Sequence, residues 1–105
     1  MYGMRVIKPT TIKSYAKAFP DAAEALMAWL DKAEIAEWQS IIDVRKVFPH
    51  ADATTADSGN ILTIFNIRGN RYRLITAIKY RWAMVYVLGF LTHADYDKEK
   101  WKAQL

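Results

Sequence analysis

The stretch from residue 61 to residue 91 limits the fold most strongly, because three strand-like runs follow one another there with only short connections. The runs are residues 61–67, 72–80 and 83–91, and each is rich in β-branched and aromatic residues. Gly69 lies in the first connection and can adopt the positive φ that a tight turn requires. A parallel pair of strands would need a crossover of about a dozen residues or more. The three runs are therefore predicted to form an antiparallel meander.

The N-terminal part is predicted to begin with a strand and a helix. Residues 4–8 read M-R-V-I-K and form a short strand candidate, which ends at Pro9 because proline cannot donate a hydrogen bond to a neighbouring strand. Thr10 or Thr11 is a candidate N-cap of a first helix, since a threonine hydroxyl can accept from the free N–H groups of the first turn. Pro20 is predicted to end this helix.

A second helix is predicted to start at Asp21, which has Glu24 three residues further on, as in a capping box. Residues 40–47 are predicted to add a short helical turn, and residues 50–60 a polar loop. A final helix is expected from His93 to about Ala103. The second helix carries one apolar stripe, made of Ala22, Ala25, Leu26, Trp29, Leu30 and Ala33.

These elements predict a single α+β domain over residues 1–105. Its mostly antiparallel sheet, a short N-terminal strand plus the meander, would be packed on one face by the helical hairpin and the final helix. A chain of 105 residues, of which 52% are hydrophobic, is long enough to bury one modest core.

The composition excludes several classes of protein. The chain contains no cysteine, which rules out disulfides, thiolate metal ligands and cysteine nucleophiles. No apolar run reaches the roughly 20 residues of a membrane-spanning helix, and residues 1–6 lack the apolar core of an export signal. We therefore expect no membrane association and a cytoplasmic location, with translation starting at Met1 or Met4.

The positive charge is confined to the C-terminal part. Residues 1–60 carry 7 Lys or Arg against 8 Asp or Glu, whereas residues 61–105 carry 8 against 3. This asymmetry favours a polyanionic partner such as nucleic acid. A surface that is merely kept soluble by its charge would show the same asymmetry.

Three stretches together resemble a known family. They are F-N-I-R-G-N-R-Y-R-L-I at residues 65–75, V-Y-V-L-G-F at residues 85–90 and T-H-A-D-Y-D-K at residues 92–98. In this order they are similar to the HigB toxins, which belong to the RelE-like mRNA interferases of bacterial type II toxin–antitoxin systems. The resemblance covers nearly the whole chain from Met4 onward. It is most specific in the F-N-x-x-G-N-x-Y-R and T-H-x-x-Y-D patterns.

The resemblance implies a RelE-like fold and an endoribonuclease that cleaves mRNA, usually on the ribosome. It also implies a cognate helix-turn-helix antitoxin, similar to HigA, that binds the toxin in a hetero-oligomer. Three alternatives stay open: a toxin that binds a protein target, as the gyrase-directed ParE toxins do, an inactive module that binds an antitoxin and regulates an operon, or a free monomeric domain that binds nucleic acid. The ParE toxins lack a T-H-x-x-Y-D pattern, which favours the nuclease.

RNA cleavage without a metal needs a general acid and a general base, and histidine can fill either role because imidazole titrates near neutral pH. The family pattern assigns this role to His93, which would otherwise be an exposed residue of a first helical turn. Tyr96 lies on the same helix face, where it could donate a proton, stack on a base or pack on the sheet. Thr92 and Asp95 are predicted to form a capping box. Asp97 would offset the helix dipole or orient a basic neighbour.

Arg73 and Lys79 are the candidates for binding the reacting phosphate. By strand alternation they share one sheet face with Arg71, Ile75 and Ala77. Arginine suits this role because its planar group is permanently charged and can donate two parallel hydrogen bonds. An ordinary solvated sheet face is the structural alternative.

Further RNA contacts are predicted from Arg68, Asn70 and Arg71, which surround the first hairpin turn, and from Lys98 on the final helix. Turn formation and solubility would explain the same residues. No histidine–carboxylate spacing indicates a metal site. No cofactor motif is present in the sequence, so we expect neither a metal nor a cofactor.

Overall fold

A computed structural model describes residues 3–105, so Met1, one of the two candidate start residues, lies outside the described residues. Short 3₁₀ turns occur at Pro20–Ala22 and Tyr80–Trp82, and another, Lys100–Ala103, follows the last helix. The elements are β1 (Arg5–Ile7), α1 (Thr10–Ala18), α2 (Ala23–Ile35), α3 (Ile41–Val47), β2 (Asp52–Thr55), β3 (Ile61–Ile67), β4 (Tyr72–Lys79), β5 (Met84–Thr92) and α4 (His93–Asp97).

The strands form one mixed sheet in the order β1-β5-β4-β3-β2. The predicted meander of β3, β4 and β5 is confirmed, and both of its pairings are antiparallel. β1 is the exception, since it pairs parallel with β5 at the edge of the sheet. The predicted α+β class is therefore confirmed, with α1 and α2 as the helical hairpin. None of the described helices has the length and apolar character needed to cross a bilayer.

One strand was not predicted. Residues 50–60 were expected to be a loop, but β2 lies within them and pairs antiparallel with β3. The prediction was wrong because β2 is a polar, mostly exposed edge strand without apolar alternation. What orders it is the backbone of β3, whose free N–H and C=O groups need partners on that side.

The helical hairpin covers one face of the sheet and forms the main core there. Leu26 is fully buried, and Trp29 packs edge-on against Phe65 of β3 with ring centroids 5.4 Å apart. Burying a leucine side chain completely, as at Leu26, contributes about 1.5–3 kcal/mol to stability. Leu88 forms a bulge in β5, because Gly89 pairs with Ile75 whereas Val87 pairs with Thr76. The bulge lets Val85, Val87 and Phe90 all face the hairpin.

The C-terminal segment packs on the opposite face, so the prediction that all helices share one face was wrong. A second, smaller apolar cluster forms there. In it Trp101, only 6% exposed, joins Ile75 of β4 and Leu91 of β5. This cluster occupies the middle of the face that carries Arg73 and Lys79.

Both predicted N-caps of the helical hairpin were wrong. α1 follows Pro9, and neither Thr10 nor Thr11 caps it with a side chain. Asp21 lies in a 3₁₀ turn before α2 and makes no capping hydrogen bond. Its carboxylate is bound to partners on the sheet instead, as described below.

The final helix is shorter than predicted, because α4 ends at Asp97. Glu99 adopts a left-handed conformation (φ 59°), and a 3₁₀ turn follows. This reversal brings Trp101 back over Tyr96, and its indole N–H donates to the Tyr96 carbonyl at 2.9 Å. In a continuous helix residues five apart lie about 140° apart around the axis, so the two rings would diverge.

Candidate active site where the last strand meets a helix

The site is built on the junction between β5 and α4. Thr92 caps α4 as predicted, since its hydroxyl accepts from the Asp95 N–H at 3.2 Å. The His93 N–H donates to the Arg71 carbonyl at 2.9 Å. The first residue of α4 is thereby held beside the beginning of β4.

His93 is bonded at both ring nitrogens. Its Nδ1 lies 2.9 Å from Nη2 of Arg73, and its Nε2 lies 2.8 Å from Oδ2 of Asp97. A guanidinium can only donate, so Nδ1 must accept and Nε2 carries the proton that points at Asp97. The side chain of His93 is nevertheless 41% exposed, so the imidazole lies at the surface, where a substrate can reach it.

The guanidinium of Arg73 is held from several sides. Nη2 also donates to Oδ1 of Asn70 at 2.6 Å, and Nη1 donates to the backbone carbonyls of Asn70 and Tyr72 at 3.2 and 3.1 Å. Asn70 was predicted to contact RNA or to form the turn, and it does lie in the turn between β3 and β4. Its side chain and its backbone carbonyl also accept from Arg73 and so help to orient the guanidinium.

Tyr96 lies between Arg73 and Trp101. The guanidinium carbon of Arg73 is 5.8 Å from the centre of the Tyr96 ring, within reach of a cation–π interaction. The other neighbour is Trp101, which stacks on Tyr96 with ring centroids 5.0 Å apart and 13° between the planes. Burial raises the pKa of the Tyr96 phenol, so the hydroxyl keeps its proton at neutral pH and can donate it in a hydrogen bond.

A carboxylate from the helical hairpin supports the β3–β4 turn. Asp21 accepts from the Tyr72 hydroxyl at 2.8 Å and from Nη1 of Arg68 at 2.8 Å. The hydrogen bond from Tyr72, together with Arg68, lowers the pKa of Asp21, and the same bond raises the pKa of Tyr72. Arg68 and Gly69 both have positive φ, at 53° and 62°. Because Arg68 is part of the turn, its ion pair with Asp21 ties the turn to the helical hairpin.

The other predicted RNA-binding residues lie near the site but do not touch His93 with their side chains. Arg71 is exposed and directly precedes β4. Lys98 is exposed and lies 3.6 Å from the carboxylate of Asp95.

Lys79 is separated from the rest of the predicted site. Lys79 is six residues further along β4 than Arg73, a span of about 20 Å at roughly 3.3 Å per residue. Ile75 and Ala77 fill the sheet face between them and are covered by the C-terminal segment. Lys79 and Arg73 share a face, as alternation predicts, but not a site.

The structure thus brings together His93, Arg73 and Tyr96, as predicted, and adds Asn70 and Asp97 as their partners. The four-residue spacing of His93 and Asp97 on a helix was the one available signal for this contact, and it matches the predicted orientation of a basic neighbour. No local pattern indicated the role of Asp21, whose partners are 47 and 51 residues away. Within residues 3–105, no three His, Asp or Glu side chains lie close enough together to hold a metal ion.

The α+β architecture, with N-terminal helices on a mixed and mostly antiparallel sheet, is that of a RelE-like toxin. The family model of the HigB toxin, described as the RelE-like toxic component of a toxin–antitoxin system, matches residues 22–99, about three quarters of the chain. The chain therefore belongs to the HigB toxin family. No curated protein sequence is significantly similar to it. Membership of this family implies a cognate antitoxin.

Proposed function

We propose that the protein is an endoribonuclease that cleaves mRNA on the ribosome without a catalytic metal. The observation that carries this proposal is the direct contact of His93 with Arg73, which are 20 residues apart in the chain and 2.9 Å apart in space. Attack of the 2′-hydroxyl on phosphorus needs a group that exchanges a proton and a cation that stabilises the charge on the phosphate. An imidazole beside a guanidinium supplies both.

The roles of the three residues follow from their chemistry. His93 exchanges a proton with the RNA, either as the base for the 2′-hydroxyl or as the acid for the leaving 5′-oxygen. Arg73 stabilises the negative charge that builds on the phosphate. The ring of Tyr96 supports the guanidinium of Arg73 through the cation–π contact, and its hydroxyl keeps a proton that it can donate. The products would be a 2′,3′-cyclic phosphate and a free 5′-hydroxyl.

The exposed cations near the site extend the RNA surface. Arg71 and Lys98 are both exposed, and their proposed role is to contact backbone phosphates of the RNA. Arg68 adds positive charge while it stays paired with Asp21. Lys79, about 20 Å from Arg73, is too far away to touch the same phosphate, so its proposed role is restricted to distant backbone contact.

The partners we propose are an mRNA held in a ribosome, in the cytoplasm, and a helix-turn-helix antitoxin that binds the toxin in a hetero-oligomer. The antitoxin follows from the family. Its helix-turn-helix fold, the stoichiometry of the complex and the ribosome follow only from resemblance.

The proposal is tested with purified protein and ribosomes programmed with a defined message. We expect cleavage that depends on the protein and leaves a 2′,3′-cyclic phosphate. This end blocks ligation until acid opens the ring and a phosphatase removes the resulting monoester. An intact message combined with inhibition of gyrase would support the ParE-like alternative. An intact message, normal growth on expression and stable binding of an antitoxin would support the inactive module.

A further inference from the structure

We propose that Arg73 masks the reactive nitrogen of His93 in the free protein, and that a phosphate group of the RNA unmasks it by drawing Arg73 away. This inference rests on the proposed function and adds an order of events to it. The guanidinium is captured first, and the proton moves second. It also assigns Asp97 and Asn70 as positioning residues.

The first step of the argument concerns the imidazole alone. Nε2 carries a proton that is directed at Asp97, 2.8 Å away, so it has no lone pair to offer. Nδ1 has the lone pair, but an N–H group of Arg73 points at it from 2.9 Å. A base at Nδ1 needs that lone pair free, and an acid at Nδ1 would place a proton against the guanidinium. Either catalytic role therefore requires the contact between His93 and Arg73 to break.

The second step concerns the donors of Arg73. A guanidinium has five N–H groups, and four of those on Arg73 are used: two on Nη2, toward His93 and Asn70, and two on Nη1, toward the carbonyls of Asn70 and Tyr72. Only the N–H of Nε lacks a partner within residues 3–105. A phosphate that binds with two parallel hydrogen bonds must therefore displace at least one acceptor.

The third step decides which acceptor gives way. All the present acceptors are uncharged, whereas a phosphate oxygen is charged and forms a stronger hydrogen bond with arginine. When His93 takes a proton it becomes a cation, which Arg73 repels and Asp97 attracts. Asn70 has no such change of charge and can keep the guanidinium in place. The bond to His93 is thus the one that the reaction removes.

In the reaction, the 2′-O–H bond breaks as its proton moves to Nδ1 of His93. The freed electron pair on the 2′-oxygen forms a bond to phosphorus, and the bond from phosphorus to the 5′-oxygen breaks with its electrons on that oxygen. Water supplies the proton that the 5′-oxygen then takes. Asp97 holds the other side of the ring throughout and stabilises the imidazolium.

The experiment is nitrogen NMR on protein that is isotopically labelled only at histidine. The chain has two histidines, His93 and His50. His50, exposed and without a hydrogen-bond partner among residues 3–105, is the internal reference. In the free protein we expect His93 to be a single tautomer with the proton on Nε2 and a hydrogen-bonded Nδ1. Titration with inorganic phosphate should move the Nδ1 signal toward that of an unbonded nitrogen, while the signals of His50 stay in place.

Two variants with the same change of charge complete the test. Arg73→Met should move the Nδ1 signal in the same direction as phosphate does and should abolish the response to phosphate. Lys79→Met, at the other end of β4, should change neither the Nδ1 signal of His93 nor its response to phosphate. Asp97→Ala should remove the single-tautomer signature of His93.

A proton on Nδ1 in the free protein would overturn the proposal, as would an Nδ1 signal that neither phosphate nor Arg73→Met moves. The phosphate titration uses the unmodified protein, so a misfolded variant cannot hide this result. None of these readouts measures cleavage. A protein that cleaves RNA but shows no masking would refute this inference alone, and a protein that shows masking but never cleaves would refute the proposed function.

Discussion

The two ends of β4 carry cations on the same face of the sheet, but they differ in how those cations are held. At the first end, which we call the site end, Arg73 makes hydrogen bonds to Asn70, Tyr72 and His93. At the second end, the distal end, the side chain of Lys79 is exposed and makes no hydrogen bond or ion pair within residues 3–105. A shared face therefore does not make a shared site. What distinguishes the site end is that the β3–β4 turn, the start of β4 and the start of α4 together place acceptors around the cation.

The strongest test of this comparison removes one cation at a time. Arg73→Ala should lower the rate of cleavage on programmed ribosomes on the order of 10³-fold, because one positioned arginine at a transferring phosphoryl group has effects of that size. Lys79→Ala should lower it by no more than about 3-fold, as expected for one exposed backbone contact. Equal losses in the two variants would mean that the cations act only through net charge.

A second test compares the tryptophans near the two ends. Trp101 is 6% exposed and stacks on Tyr96, whereas Trp82 of the distal end is 64% exposed and lies under Arg81. Trp101→Ala should lower the free energy of unfolding by about 3 kcal/mol, the lower end for a buried aromatic residue. Trp82→Ala should change it by less than about 0.5 kcal/mol. Urea unfolding followed by circular dichroism measures both.

A third test weakens the junction that distinguishes the site end. Thr92→Ala removes the side-chain acceptor of the Asp95 N–H and should lower the free energy of unfolding by about 1 kcal/mol. Thr92→Ser keeps a hydroxyl at the same position and should restore most of that loss. If the alanine and serine variants are equally unstable, the loss comes from the methyl group of Thr92 and the cap contributes little.

The smallest expected effect is the pH dependence that Asp21 gives to the turn behind the site end. The pKa of Asp21 is lowered in the folded state. Its contribution to the free energy of unfolding is therefore fully present above its unfolded pKa of about 4, and it is lost as the pH falls through the folded pKa. Asp21→Asn should therefore destabilise the protein at pH 7 and flatten the loss of stability below about pH 4.

Asp31→Asn is the matched control, because Asp31 is an exposed residue of α2 without a side-chain hydrogen bond or ion pair in the described part of the chain. Denaturant unfolding at neutral and acidic pH measures all three proteins. An acid profile of Asp21→Asn that coincides with that of the unmodified protein would contradict the role given to this carboxylate.

The features that could be predicted from sequence are those that local chemistry determines. The meander follows from β-branched runs and short turns, and the cap at Thr92 follows from the spacing of Thr92 and Asp95. Once the meander is granted, the pairing of Arg73 with Leu91 brings Arg73 next to the beginning of α4. The contact with His93 was therefore within reach of the sequence.

The features that could not be predicted depend on partners far away in the chain. Asp21 has the spacing of a capping residue, but Tyr72 and Arg68 compete for its carboxylate more effectively than its own helix does. The end of α4 at Asp97 depends on the fit of Trp101 against Tyr96 and the second apolar cluster. Polar β2 depends on the open edge of β3. Each of these is a tertiary interaction that overrides a correct local pattern.

The central claim is that His93 carries out proton transfer on RNA, and the most direct measurement compares the two histidine variants. Cleavage of a defined message on programmed ribosomes would be timed for the unmodified protein, His93→Ala and His50→Ala, after circular dichroism has shown that all three are folded. We predict that His93→Ala is slower by about 10²-fold or more, as for the loss of a general acid or base, and that His50→Ala retains the normal rate. A His93→Ala protein that cleaves as fast as His50→Ala would contradict the account and move the active site elsewhere on the sheet.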